Sequence, residues 1–302
     1  MEKLVESLKE NLKSVQVRLG EPLSEHTTFK IGGPADIFVE PYDMEELSFV
    51  LKAVKESGLP LTVLGLGSNV LVQDGGIRGV VVCLSEMQQV KRCVDNTITM
   101  GAGFLLKDVS EFACEHGLTG LEFAIGIPGS LGGAVFMNAG AYGGEMKDVV
   151  TTVRAVDFEG NLHTYDVNDL NFAYRHSVFH DNHEVIGEVV MSLQPGNISE
   201  IKAVMNDLTE KRESKQPLEH ASAGSTFKRP PGLFAGTIID QLGLKGLSIG
   251  DAQVSTKHAG FVVNVGHASA KDVLGVIHEV QRRVKVAHNV NLETEVRIIG
   301  EE

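Results

Sequence analysis

The sequence predicts an α+β protein built from three successive α+β units. Three observations predict it. The first ~80 residues follow a β-α-β rhythm. From Gly79 the pattern changes to short β-rich stretches around a single helix, and the last ~85 residues carry a capped, strongly periodic helix. With 302 residues, 42% of them hydrophobic and 22% charged, the chain has material for a sizeable core. That composition excludes disordered, collagen-like and low-complexity classes.

The elements follow in order. Leu4, Val5, Leu8 and Leu12 have the spacing of a short amphipathic helix. Ile37-Phe38-Val39 reads as a strand stopped by Pro41. Asp43 with Glu46 reads as a capping box, opening a helix whose apolar face is Leu47, Val50, Leu51 and Val54. Gly58-Leu59-Pro60 ends that helix, and Leu61-Thr62-Val63-Leu64 is a strand. Further strands are expected at 80–84, 89–94, 97–100, 149–158, 161–165 and 184–193, around a helix holding Leu105, Leu106, Val109, Phe112 and Ala113. A helix over 198–212 precedes Pro217. The final segment has strands at 261–265 and 292–299, and a helix from Ser269 to about 286 with Asp272 as its start signal. The expected divisions are therefore 1–80, 81–215 and 216–302.

The charges, 27 Lys+Arg against 40 Asp+Glu, sum to −13. A field of that sign repels nucleic acid and anionic membranes, so an anionic ligand must be held by local groups. No apolar run reaches the ~20 residues of a membrane span, and the N-terminus has no signal-peptide pattern. A cytoplasmic protein is expected. Cys83, Cys93 and Cys114 are odd in number and without a C-x-x-C pair, which fits neither a disulfide framework nor a zinc site. His176, His180 and His183 complete no ligand pattern, so no metal is expected.

Neither a dinucleotide-binding G-x-G-x-x-G nor a G-x-x-x-x-G-K-[ST] loop is present. Two glycine segments still read as backbone that approaches a ligand closely. Gly65-Leu66-Gly67-Ser68-Asn69 follows a strand directly, and its alternative reading is a tight turn. Gly126-Ile127-Pro128-Gly129-Ser130-Leu131-Gly132-Gly133 continues into Asn138-Ala139-Gly140-Ala141-Tyr142-Gly143-Gly144. So many glycines are entropically expensive unless the backbone must meet a flat ligand or a pyrophosphate. Arg175 stands among Tyr174, His176, Ser177 and Phe179, and read alone is equally a surface arginine. Ser225 follows Gly224 close to Lys228 and Arg229, where a solvated loop is the plain alternative. Glu295 alternates with Glu293, as on a charged strand edge.

Taken together, these segments resemble the UDP-N-acetylenolpyruvoylglucosamine reductases of bacterial cell-wall synthesis. The resemblance runs in order through 27–35, 65–71, 125–144, 174–179, 224–230, 252–261 and 292–300. It implies a vanillyl-alcohol-oxidase-type FAD-binding fold of two α+β subdomains, with a C-terminal α+β domain over the sugar nucleotide. It further implies noncovalent FAD held largely by backbone at Gly65, Gly67, Ser68, Asn69, Val70, Gly126, Ile127, Pro128, Gly129, Gly132, Gly133, Asn138 and Gly140. NADPH is the implied reductant, and the implied substrate is the enolpyruvyl ether of UDP-N-acetylglucosamine.

By the same resemblance, Arg175 stabilises charge developing beside the substrate carboxylate, with Glu295 as its partner there. A glutamate in that position makes chemical sense only when protonated or bridged to a cation. Ser225 matches the family's proton donor. Tyr174, Lys215, Lys228 and Arg229 are expected at the substrate, with Arg212 a further candidate for the phosphates. Family members with a long insertion place an extra tyrosine over the substrate. Here the tyrosines are Tyr42, Tyr142, Tyr165 and Tyr174, and 180–200 leaves no room for it, so the chain resembles the short form. Two rival readings stay open at this level: another flavin oxidoreductase of this fold acting on a small alcohol or sugar, and a non-catalytic nucleotide-sugar sensor. The expected assembly is a monomer or small homo-oligomer.

Overall fold

A computed structural model describes residues 1–12 and 17–302. The chain divides into two compact units, each assembled from separated segments. The first comprises Met1–Leu19, Ile37–Leu66 and Gly79–Lys211. The second comprises Gly20–Asp36, Gly67–Arg78 and Arg212–Glu302.

In the first unit, helix Met44–Ser57 forms where the sequence signals it. Asp43 accepts hydrogen bonds from the N–H groups of Glu45 and Glu46 at 2.9 Å. Glu46 reaches back to the N–H of Tyr42 rather than of Asp43, which shifts the reciprocal bond by one residue. Gly58, at φ 70, ends the helix in the left-handed conformation that glycine adopts without a Cβ penalty. Leu47, Val50, Leu51 and Val54 are buried on one face, as the 3.6-residue period requires. Strand Leu61–Leu64 then runs parallel to Val80–Cys83 in a four-stranded sheet, completing the β-α-β unit. Val80, Val81 and Val82 are all fully buried, the pattern of a strand covered on both faces.

A five-stranded antiparallel sheet follows, in the order Leu162–Asp166, Val150–Val156, Val185–Ser192, Thr97–Gly101 and Lys91–Val94. Helix Leu106–Glu115 accompanies it, with Leu105 left outside as an exposed N-cap residue. One apolar core, from Leu4 to Leu193, serves this unit.

The second unit has its own core, built from Phe29, Ile31 and Leu71 together with C-terminal residues. Helix Ala270–His288 starts with a true capping box: Asp272 N–H donates to Ser269 Oγ at 3.1 Å, and Ser269 N–H to Asp272 Oδ2 at 3.0 Å. Its Val273, Val276, Ile277, Val280 and Val284 are buried against a small antiparallel sheet. The strand expected over 292–299 is shorter, Arg297–Ile299, and pairs in parallel with Val70–Val72. No helix among the described residues is long and apolar enough to cross a membrane.

Candidate active site

The first unit carries the long glycine run and the arginine. Ser130 N-caps the short helix Leu131–Phe136, accepting from Gly133 N–H at 3.4 Å. Leu131 and Gly132 spend their N–H groups on the carbonyls of Phe104 and Ala102, at 2.8 and 2.9 Å. Gly132 is a packing glycine, because a Cβ there would lie 2.8 Å from the Ala102 Cβ. Gly65 is likewise pressed against this segment, its missing Cβ falling 2.4 Å from Ser130 Oγ. The half-exposed stretch Gly126, Ile127 and Gly129 is different. Gly129, at φ 150, holds a conformation largely closed to side chains. It presents bare main chain that a flat ring or a diphosphate can approach, so these residues fit a flavin.

The run then ends on Asn138, which is 1% exposed and left-handed at φ 42. Its amide is spent on protein partners, donating to Glu145 Oε2 at 2.9 Å and to the Ala173 carbonyl at 3.1 Å. Its Oδ1 accepts from Lys147 N–H at 3.0 Å. A contact of Asn138 with a cofactor is therefore left to its backbone. Gly140 belongs to the hairpin 140–145, where a Cβ would meet Glu145 Cγ at 2.6 Å. Arg175 stands at the tip of a two-residue turn closed by paired bonds between Ala173 and His176, 3.1 and 3.2 Å. At φ 55 it holds a position that turns normally give to glycine or asparagine. Its guanidinium lies over the Tyr174 ring, 5.2 Å from the centroid. The Lys147 ammonium, and after it the Asn138 amide and the Arg175 charge, hold the Glu145 carboxyl below the usual range. His176 meets Asp181 at 3.3 Å and His180 stacks on Phe136 at 3.8 Å, so both imidazoles serve local packing.

The second unit gathers the other expected residues. Gly67, at φ 64, is buried so closely that a Cβ would lie 2.2 Å from the His26 carbonyl oxygen. Asn69 donates through Nδ2 to the Glu295 carbonyl at 3.3 Å, and its own carbonyl accepts from Arg297 N–H at 3.0 Å. Val70 follows in the strand paired with Arg297. Glu295 N–H in turn donates to the Thr226 carbonyl at 2.8 Å. Ser225, exposed, immediately precedes that residue. Asn69, Glu295 and Thr226 are thus joined by hydrogen bonds, and Ser225 is the chain neighbour of Thr226.

Thr226 itself is buried, its Oγ1 accepting from Val262 N–H at 2.9 Å. Lys228 pairs with Glu293 at 3.1 Å, and Arg229 lies over the Phe234 ring at 4.2 Å. Lys215 is exposed in the last turn of helix Ile198–Lys215. In the 252–261 segment, Ser255 Oγ accepts from the N–H groups of Lys257 and His258. Burial pushes His258 below its ordinary range, and its Nδ1 accepts from Gly260 N–H at 3.1 Å.

One residue escaped the sequence reading. Thr28 donates its N–H to the Gly67 carbonyl at 3.2 Å and its Oγ1 to the Ser222 carbonyl at 2.7 Å. It ties the short glycine loop to the strand leading into Gly224-Ser225. The signal available was the Thr27-Thr28-Phe29 segment itself, whose partners lie tens to hundreds of residues away.

The α+β architecture and the half-exposed glycine main chain fit a flavin-binding protein. Residues 35–166 match the FAD binding domain family, and residues 216–299 match the C-terminal domain of UDP-N-acetylenolpyruvoylglucosamine reductase. A reductase of that name from Geobacillus kaustophilus is 51% identical over 282 residues, covering 93% of this chain and 92% of the relative. One from Clostridioides difficile is 48% identical over 96% of each chain. The crystal structure of UDP-N-acetylenolpyruvylglucosamine reductase from Thermus caldophilus superimposes with a TM-score of 0.82 at 37% identity, covering 95% of this chain and all of that one. The chain belongs to the UDP-N-acetylenolpyruvoylglucosamine reductase family, and its fold is the α+β FAD-binding fold that the motifs implied.

Proposed function

We propose that this chain performs the family's reaction, FAD-dependent reduction of the enolpyruvyl ether of UDP-N-acetylglucosamine to UDP-N-acetylmuramate, with Arg175, Ser225 and Glu295 as its catalytic groups. Held by the glycine segments, FAD would supply the hydride-transfer chemistry, with NADPH as reductant and the terminal carbon of the enolpyruvyl group as acceptor. The observation that carries the reading is the main-chain bond from Glu295 N–H to the carbonyl of Thr226, the residue that follows the candidate acid Ser225.

The permanently charged guanidinium of Arg175 offsets negative charge as it builds on the substrate carbon and its carboxylate. Ser225 delivers a proton from Oγ to that carbon. A hydroxyl is a weak acid, but the acceptor is carbanion-like and strongly basic. Glu295 is assigned beside the substrate carboxylate as the partner of Arg175. Lys215, Lys228 and Arg229, with Tyr174, are assigned to the UDP-sugar, since a chain of charge −13 must hold phosphates with placed cations. Lys228, already paired with Glu293, would exchange that carboxylate for a phosphate.

Gly65, Gly67, Ser68, Asn69, Val70, Gly126, Ile127, Pro128, Gly129, Gly132, Gly133, Gly140 and, through its main chain, Asn138 are assigned to FAD. The segments 1–80 and 81–215 are the proposed flavin subdomains, and 216–302 the substrate domain. We place the protein in the cytoplasm as a monomer or small homo-oligomer.

The test is an anaerobic absorbance titration. The flavin band should bleach with NADPH and recover when the enolpyruvyl UDP-sugar is added, with UDP-N-acetylmuramate formed. A band that bleaches but ignores the sugar would point to another substrate, and failure to bind FAD would sink the reading.

A further inference from the structure

We propose that Asn138 and Ser177 are positioning residues that together clamp the Arg175 turn onto the flavin-binding glycine segment; this rests on the reading of Arg175 given above. The turn Tyr174-Arg175 is flanked by Ala173 and His176-Ser177, and both flanks are held by the same short stretch of chain. On one side, Asn138 Nδ2 donates to the Ala173 carbonyl at 3.1 Å. On the other, Ser177 Oγ donates to the Phe136 carbonyl at 2.7 Å. Asn138 is 1% exposed and Ser177 fully buried, so water cannot readily replace either bond.

The stretch 136–138 ends the helix that begins at Ser130 and packs through Gly132 on Ala102. The position of the arginine tip is therefore referred, through two buried side chains, to the backbone that meets the cofactor. The clamp also explains how Arg175 keeps φ 55. A strained conformation persists only where its surroundings over-determine it. Asn138 further donates to Glu145 Oε2, the carboxylate on which the Arg175 charge acts. Its amide thus connects both ends of the arginine's local environment. Asparagine suits the position because it tolerates the left-handed φ of 42 while offering two donors.

The experiment uses the FAD holoenzyme. Asn138→Gly keeps the left-handed backbone and removes the amide, and Ser177→Ala removes one hydroxyl. If Asn138→Gly does not fold, Ser177→Ala carries the test. Each should accelerate amide hydrogen exchange at residues 173–176, with or without FAD. Each should also slow flavin reoxidation by the enolpyruvyl UDP-sugar about tenfold or more beyond any change in reduction by NADPH, since a misplacement of ~1 Å costs on the order of 100-fold.

In the Arg175→Ala background neither substitution should slow reoxidation further. Unchanged exchange, or an undiminished slowing in that background, overturns the clamp. If Arg175→Ala alone leaves reoxidation intact, the reading of Arg175 fails instead, and that result is distinguishable because the exchange measurement does not depend on it.

Discussion

Gly67→Ala tests the close backbone approach at the short glycine loop. Gly67 stands at φ 64, where an L-residue costs about 1–2 kcal/mol. A Cβ would also fall 2.2 Å from the His26 carbonyl oxygen and 2.9 Å from Thr27 Cα. Both are backbone atoms, so no rotamer change relieves the contact, and overpacking of that kind adds about 1–3 kcal/mol. The expected loss is therefore about 2–5 kcal/mol.

Gly224→Ala is the control. Its φ of 75 is equally left-handed, but nothing lies within 4 Å of its Cβ, so only the conformational part, about 1–2 kcal/mol, applies. The assay is urea unfolding of both variants, comparing midpoints at unchanged slope. Displacement of the 67–69 loop should also weaken FAD retention in Gly67→Ala, measured by flavin fluorescence. Equal destabilisation of the two variants would refute the argument, because it would mean that the close approach of 26–27 contributes nothing.

Ser225→Ala should leave flavin reduction by NADPH intact and nearly abolish reoxidation by the substrate; equal losses in both half-reactions would make Ser225 structural. Arg175→Gly should raise unfolding stability by about 1 kcal/mol, by releasing the left-handed strain, while removing reoxidation; a drop in stability would count against that strain. Thr226→Val should lower stability by about 1–3 kcal/mol, because it strands the buried N–H of Val262, and unchanged urea unfolding would contradict it. Burial, with the Glu184 carboxylate beside it, pushes Tyr165 from 10.0 up to about 12. A phenol whose folded value is raised contributes stability that is complete below pH ~10 and fades as pH climbs toward ~12. Tyr165→Phe should flatten that alkaline decline, and an identical decline in the variant would rule out Tyr165 as its source.

Much of the fold was legible because its signals are local. Asp43, Gly58, Ser269 and Asp272 mark helix ends through contacts within four residues, and Leu47 to Val54 or Val273 to Val284 reveal a buried face by spacing alone. The candidate site was legible as motifs: glycine-rich backbone, a serine after glycine, an arginine among aromatics. Their order along the chain was enough to mark the family.

Tertiary structure alone decided how several motif residues are packed and bonded. Gly132 and Gly67 are glycines because residues distant in sequence press on them, Ala102 and His26. Asn138, read as a cofactor contact, has its amide spent on Glu145 and Ala173. The strand expected over 292–299 contracts to Arg297–Ile299, because Glu295 and Thr294 are held instead by Thr226 and Phe227. Nor does composition show that 20–36 and 67–78 join the C-terminal residues in one compact unit. The physical reason is common to all of these. Helix caps and side-chain periods depend on neighbours a few residues away, so sequence by itself determines them. Close approach and hydrogen-bond satisfaction depend on which distant segments the fold brings together, and only the folded chain settles that.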